Sequence, residues 1–247
     1  MQPIAVITGA AQGLGRIIAE QLLAEGCRVA ITDRDREGAE RLARALDPEG
    51  GRALALALDV TRKEDFVAAL DAVEARLGAP TALVNNAAMT PTTPVMEITP
   101  EEFDAVVAIN LRGTFFGCQV FGDYFAGRGH GRIVNIASLA GQNGGTASGA
   151  HYAASKGAIL TLTKVFAGQL AAANVTVNAV APGPLDLPSV RAAVPADKLA
   201  GIVERVIPVK RLGNPAFVAK TVARLLGDEA DFVTGATWDI NGGIYMR

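Results

Sequence analysis

The chain has 247 residues, half of them apolar, enough to bury one sizeable core, and it carries a net charge of −2 with a pI near 5.8. That balance offers no basic stripe for nucleic acid or an anionic membrane surface, so neither partner is expected. Two histidines, His130 and His151, and two cysteines without C-x-x-C spacing are too few soft ligands for a catalytic zinc site, and metal catalysis is not expected. Cys27 and Cys118 each sit in an apolar periodic stretch and are predicted to be buried free thiols. Continuous apolar runs such as Ala53–Leu58 and Thr176–Pro182 are too short to span a bilayer, and Met1–Thr8 lacks the charged head of a signal peptide. A cytoplasmic protein is the expectation.

In chain order, apolar runs predict buried strands at Ile4–Thr8, Arg28–Thr32, Ala53–Leu58, Ala82–Val84, Ile133–Ala137, Val175–Val180 and Ala236–Ile240. Helix-period segments fall between most of them, at Leu14–Glu25, Glu37–Leu46, Lys63–Leu77, Pro100–Phe125, Tyr152–Ala172 and Pro215–Leu226. This alternation predicts an α/β fold, a parallel sheet with helices on both faces, in a single domain spanning residues 1–247. The stretch Pro182–Pro208 breaks the rhythm with five prolines around a short helical pattern, and residues 184–208 are predicted to form a lid over a binding site.

Directly after the first strand comes Thr8-Gly9-Ala10-Ala11-Gln12-Gly13-Leu14-Gly15, placing three glycines where a strand turns into a helix N-terminus. Glycine permits the tight turn, lets backbone N–H groups approach a pyrophosphate, and allows close packing of helix on strand. Asp33, eighteen residues past Gly15 at the end of the second strand, is placed to accept from a ribose 2′-hydroxyl and to repel a 2′-phosphate. With Gln12 neutral and Arg34 and Arg36 read as solvated charges at a helix start, the pattern favours NAD over NADP.

Tyr152 and Lys156, spaced i,i+4, share one helix face. A phenol titrates near ~10 when unperturbed, and a neighbouring ammonium is expected to lower that value and suit the group to proton transfer. Upstream, Ser138 follows a strand whose carboxyl end is where ligands bind in open α/β sheets, and its hydroxyl is placed to hold a substrate oxygen.

Together, Thr8-Gly9-x-x-x-Gly13-x-Gly15, Asp59-Val60, Asn85-Asn86-Ala87, Asn110, Ser138, Tyr152-x-x-x-Lys156 and Pro182-Gly183 resemble the short-chain dehydrogenase/reductase family over essentially the whole chain. The resemblance implies a seven-stranded Rossmann sheet, an NAD(P)-dependent oxidoreductase acting on CH–OH groups, and a homotetramer with contacts through Pro100–Phe125, Tyr152–Ala172 and the C-terminal strand. It implies a general acid/base at Tyr152 and carbonyl orientation by Ser138. Lys156 would bind the nicotinamide ribose and lower the Tyr152 pKa, and Asn110 would hold a water linking Lys156 to solvent. By the same resemblance Asp59 contacts adenine, and Val60, the Asn86 backbone and Pro182-Gly183 line the cofactor beside Gly9, Gln12, Gly13, Leu14 and Gly15. Two positions depart from the pattern: Ala88 stands where the family has glycine, and Leu187 where it commonly places threonine.

The segments Gly131–Ile136 and Asn241–Met246 are similar to those of 3-oxoacyl-acyl-carrier-protein reductases. Those enzymes usually reduce with NADPH, which Asp33 disfavours, and the two basic residues they use to dock the carrier fall on Gly129 and Ala173, with Arg128 and Arg132 as partial substitutes. The expectation is therefore NAD-dependent interconversion of a free small secondary alcohol and its ketone, with NADPH-dependent 3-oxoacyl-acyl-carrier-protein reduction as the alternative. Substrate walls are expected from Met89–Pro91, Leu139–Gly145, His151 and Pro184–Ile207. Within them Ser138, Tyr152, Gln142, Asn143 and Leu185 are the candidate contacts, and His151 is expected to pack rather than react.

Overall fold

The run Ile4–Thr8 is buried at every position because it lies in the middle of a sheet covered on both faces. Ala5 and Ile7 face one layer, Ile4 and Val6 the other, the period-two alternation that a doubly covered strand imposes. In the computed structural model, which describes residues 3–145 and 149–246, the strands are β1 (Ile4–Thr8), β2 (Arg28–Asp33), β3 (Ala53–Ala57), β4 (Ala82–Asn85), β5 (Gly131–Ile136), β6 (Val175–Pro182) and β7 (Thr237–Ile240). They form one seven-stranded sheet in the order β3-β2-β1-β4-β5-β6-β7, parallel throughout. This is the expected Rossmann arrangement, and the order reverses between β1 and β4, where a crevice opens beyond the strand carboxyl ends.

On one face lie α1 (Gly13–Ala24), α2 (Arg36–Leu46) and α10 (Pro215–Leu226), whose Ile18, Leu22, Leu42, Val218 and Val222 pack with Ile7, Ile31 and Val134 of the sheet. On the other, α3 (Lys63–Leu77), α5 (Gly113–Arg128) and α7 (Ala150–Leu170) bring Phe66, Val73, Phe121, Phe125 and Leu170 against Val6, Leu83, Ile133 and Val177. Each fully buried Phe contributes about 1.5–3 kcal/mol relative to exposure. Cys27 and Cys118 are free and buried, as expected, and burial raises both thiols, Cys118 to about 12.

The long helix predicted from Pro100 has internal structure. Thr99 caps α4 (Pro100–Val106) by accepting from the Glu102 N–H, with Pro100 at the first turn. The helix then widens into a π-helical stretch, Val107–Arg112, before continuing as α5. Taken as one rod, Pro100–Arg128 is long and apolar enough, by length and composition, to cross a membrane. Here it packs against α3, α7 and strands β4 and β5, as a core helix does. After β5 comes a single short turn, α6 (Ala140–Asn143), and the proline-broken stretch after β6 holds two helices, α8 (Pro188–Ala193) and α9 (Ala196–Arg205). Periodicity alone gave no separate place to these.

Candidate active site

The glycine turn after β1 is bolted to the end of β4. The Thr8 hydroxyl accepts from the backbone N–H groups of Asn86 (3.0 Å) and Ala87 (3.1 Å), and the Asn86 side-chain amide donates to the carbonyls of Thr8 (3.0 Å) and Gly9 (2.9 Å). Gly9 has φ +62°, and a Cβ there would lie 2.7 Å from Ala87 Cα; one on Gly15 would press on the Asn86 amide. α1 begins at Gly13 with no side chain capping its first N–H groups and no acidic residue in its first turn. Those donors open on a cavity of about 550 Å³ lined by Gly9, Gln12, Leu14, Asp33, Asp59, Val60 and Asn86.

Asp33 is held rigidly at that cavity, its carboxylate accepting from the N–H of Ala11 (3.1 Å) and of Asp35 (3.0 Å). Asp59 accepts from the Thr61 N–H (2.9 Å) and hydroxyl (2.8 Å), and the backbone bond is the main reason its carboxyl lies below the usual range. An uncapped helix N-terminus, glycines packed too closely for any Cβ, and a fixed carboxylate beyond them fit a dinucleotide, with the pyrophosphate on α1 and a ribose at Asp33. Among the described residues no group of three or more His, Cys, Asp or Glu is placed to hold a metal ion.

A second cavity, of about 600 Å³, adjoins the first; Leu14, Asn86, Ala88, Thr90 and Ser189 line both. Ser138, just past β5, and Tyr152 and Lys156, one turn apart on α7, meet in it beside Pro182, Gly183 and Leu185. The Tyr152 hydroxyl is near the hydroxyls of Ser138 and Thr90, which line the same cavity. Burial pushes this phenol up, and the two hydroxyls oppose the shift without reversing it. The Lys156 Nζ lies 5.8 Å from the Tyr152 ring centre and donates to the Ile136 carbonyl at 2.6 Å; burial lowers its pKa to about 8. The expected net lowering of the Tyr152 pKa is thus corrected: desolvation dominates both groups, so the phenol lies above its ordinary value and keeps its proton at neutral pH.

Most of the rest of this cavity is apolar, with Thr92 and Ser189 as its further polar side chains. Leu139, Leu185 and Leu187 form one part of the wall, and Val190 of α8, Val194 just after it, and Leu199 and Ile202 of α9 form another. Among the described residues Lys156 is the one charged side chain lining it.

Comparison with known proteins agrees with this geometry. A family model described as "Enoyl-(Acyl carrier protein) reductase" matches residues 9–245. The 3-oxoacyl-[acyl-carrier-protein] reductase of Escherichia coli is 37% identical over 98% of this chain and 97% of its own length. An acetoacetyl-CoA reductase of Rhizobium meliloti is 38% identical over the full length of both. The crystal structure of a 3-oxoacyl-[acyl-carrier protein] reductase from Brucella melitensis superposes with a TM-score of 0.92 at 37% identity, covering 99% of this chain and 92% of that one.

The chain is a short-chain dehydrogenase/reductase.

Within this short-chain dehydrogenase/reductase, Gly9, Gln12, Leu14, Asp33, Asp59, Val60 and Asn86 gather at one cavity and Ser138, Tyr152, Lys156, Pro182, Gly183 and Leu185 at the other, with Gly13 and Gly15 in the first turn of α1. Asn110 lines neither cavity. Its side chain accepts from the Met89 N–H (2.8 Å) and donates to the Met89 carbonyl (3.0 Å) and the Ser155 hydroxyl (3.1 Å), so here it clamps the loop after β4 to α7. Gln142 and Asn143 are corrected as substrate contacts. Gln142 donates to Asp239 of β7 at 2.6 Å, and exposed Asn143 accepts from the Gly145 N–H; neither lines the cavity. His151 is fully buried with Nε2 2.9 Å from Glu102, away from the chemistry, as expected of a packing residue. Ala88 avoids the left-handed region, so its methyl costs no backbone strain. The reading of the sequence did not single out Thr90. No spacing or motif links it to Tyr152, and only the folded loop brings the two together.

Proposed function

We propose that this reductase interconverts 3-oxoacyl and 3-hydroxyacyl thioesters using NAD(H). The observation that carries the substrate class is the wall of the catalytic cavity: nine leucine, isoleucine and valine side chains and, among the described residues, no charged group except Lys156, which suits an acyl chain and poorly suits a polyol or hydroxy acid. The names of the relatives from Escherichia coli and Rhizobium meliloti point to the same class. The rigid Asp33 carboxylate supports NAD(H), since a 2′-phosphate there would meet a fixed like charge.

The residues of the two adjoining cavities fit a nicotinamide dinucleotide, which would supply the hydride donor or acceptor at the substrate carbon. Ser138 holds the carbonyl oxygen, and Tyr152 delivers its proton to that oxygen in reduction or receives it in oxidation. A phenol that burial keeps protonated is the form reduction needs. Lys156 stands beside Tyr152 as the positive charge that steadies the phenolate once the proton has left.

A second reading, a free small secondary alcohol, is favoured by the absence of bases for a carrier protein. Gly129 and Ala173 occupy the docking positions, Arg132 is buried with its guanidinium on the carbonyls of Gly131 and Asn174, and Arg128 faces Glu74 and the Tyr124 ring. We further propose a cytoplasmic homotetramer; exposed Val165 on α7, Phe217 on α10, Phe232, and Trp238 on the edge strand β7 are apolar surface that a second copy would cover.

The test is turnover of 3-oxoacyl thioesters and free secondary alcohols with NAD(H) and NADP(H) side by side. Thioester activity exceeding that on every free alcohol supports the main reading, and the reverse selects the second. Tyr152→Phe is expected to abolish turnover while leaving NADH binding nearly unchanged.

A further inference from the structure

The loop after β4 is held at three successive points. Met89 is fixed through both its N–H and its carbonyl by the Asn110 side chain. The Pro91 carbonyl accepts from the Gly149 N–H at 3.0 Å, at the start of α7. The Thr93 hydroxyl donates to Glu102 at 2.7 Å, and the same Glu102 oxygen lies 2.9 Å from buried His151, next in sequence to Tyr152. Thr90 sits between the first two of these anchors, lines both cavities, and presents its hydroxyl to the phenol oxygen. A hydroxyl on a loop would ordinarily sample several positions. This one is pre-organised by its neighbours on both sides.

Ser138 shares the phenol, but its Oγ already accepts from the Ala140 N–H at 3.1 Å, which leaves it one proton to donate. Resting on the reading of Tyr152 as the proton-transfer group, that single proton cannot serve the substrate oxygen and the phenolate together. We propose that Thr90 is a positioning residue of the reaction: its hydroxyl, held in the cavity beside Tyr152, donates to the phenolate as the proton leaves, while Ser138 turns to the substrate oxygen. In reduction the Tyr152 O–H bond breaks, the proton goes to the substrate oxygen, and the lone pair left on the phenolate accepts from Thr90.

The electrostatic surroundings are simple enough for this to be read from a pH profile. Among the described residues Lys156, on the same helix as Tyr152, is the one charged side chain lining the cavity around the phenol. His151 is turned onto Glu102 of α4, and Asp33, Arg34 and Asp59 lie around the other cavity.

The experiment compares the wild type with Thr90→Val and Thr90→Ser in the alcohol-oxidation direction at saturating NAD, with Tyr152→Phe as control. A donor to the phenolate lowers its pKa, so Thr90→Val is expected to move the rising limb of the kcat profile up by about one pH unit and to lower kcat about tenfold at neutral pH, with KM little changed. Thr90→Ser, which keeps the hydroxyl and loses only a methyl, is expected to restore both. An unshifted limb in Thr90→Val, or a serine variant no better than the valine one, overturns the proposal. A Tyr152→Phe variant that still turns over removes the proton-transfer reading beneath it, an outcome distinct from failure of Thr90 alone.

Discussion

Replacing Lys156 with methionine is expected to stop turnover and yet make the protein more stable at neutral pH. Lys156 is 3% exposed, and burial brings its pKa from 10.5 down to about 8. An ammonium whose pKa is lower in the folded state is penalised by folding. The penalty is full below the folded value of about 8 and fades as pH rises towards the unfolded value of 10.5. At about 1.4 kcal/mol per unit, this costs about 3 kcal/mol at pH 7 and about half as much at pH 9.5. Methionine removes that cost but also the 2.6 Å bond to the Ile136 carbonyl, a loss of about 1.5 kcal/mol. The net gain is about 1.5 kcal/mol at pH 7, a rise of about 3–6 °C in Tm for a chain of this length, and close to nothing at pH 9.5. Thermal unfolding followed by circular dichroism at the two pH values measures both. A methionine variant less stable than the wild type at pH 7, or a difference that does not change with pH, would refute the desolvation argument.

Asp33→Ser removes the fixed negative charge beside the ribose site, and the ratio of kcat/KM with NAD to that with NADP is expected to fall at least about tenfold, equivalent to about 1.4 kcal/mol of repulsion relieved. An unchanged ratio would show that Asp33 does not select the cofactor. Gly9→Ala forces a side chain into the left-handed region, at about 1–2 kcal/mol, and against Ala87, so it is expected to lower both Tm and NADH affinity. Gly127→Ala, in α5 with nothing near its Cβ position, is expected to raise Tm slightly, by about 0.5–1 kcal/mol of stability, and to leave NADH affinity alone. Calorimetry and NADH fluorescence titration on the pair separate loop geometry from a general effect of replacing glycine.

The sheet was legible because its strands are buried on both faces and therefore stand out as short apolar runs; β1 falls on its expected residues and β2 gains only Asp33. The helix α10 falls on its expected residues, Pro215–Leu226, and the structure adds its cap, Asn214 accepting from the Ala216 N–H ahead of Pro215. Gln142 and Asn143 misled because α6 is a single turn, too short for periodicity to say which side faces the cavity; Gln142 turns to β7 instead. The stretch after β6 was marked by its prolines, but the apolar sides of α8 and α9 were hidden by the breaks between them. Thr90 fell within the expected wall Met89–Pro91, but its place beside Tyr152 was not legible, since it is set by bonds from Asn110, Gly149 and Glu102 that only the fold assembles.

Burial connects the substrate reading with the chemistry. The aliphatic wall that suits an acyl chain also keeps water from Tyr152 and Lys156, and in such surroundings both groups shift towards their neutral forms. A neutral phenol is a proton donor, so the unassisted site is set for reduction; oxidation first needs that proton removed. Each donor on the phenolate then matters more than it would in water, because a hydrogen bond is stronger where the dielectric constant is low. Two hydroxyls at one oxygen, only one of them free to leave for the substrate, meet that need without adding a charge the apolar wall could not solvate. The same reasoning fits the proposed role of Lys156: its buried ammonium is expected to destabilise the resting fold and to become favourable at the moment a phenolate forms beside it.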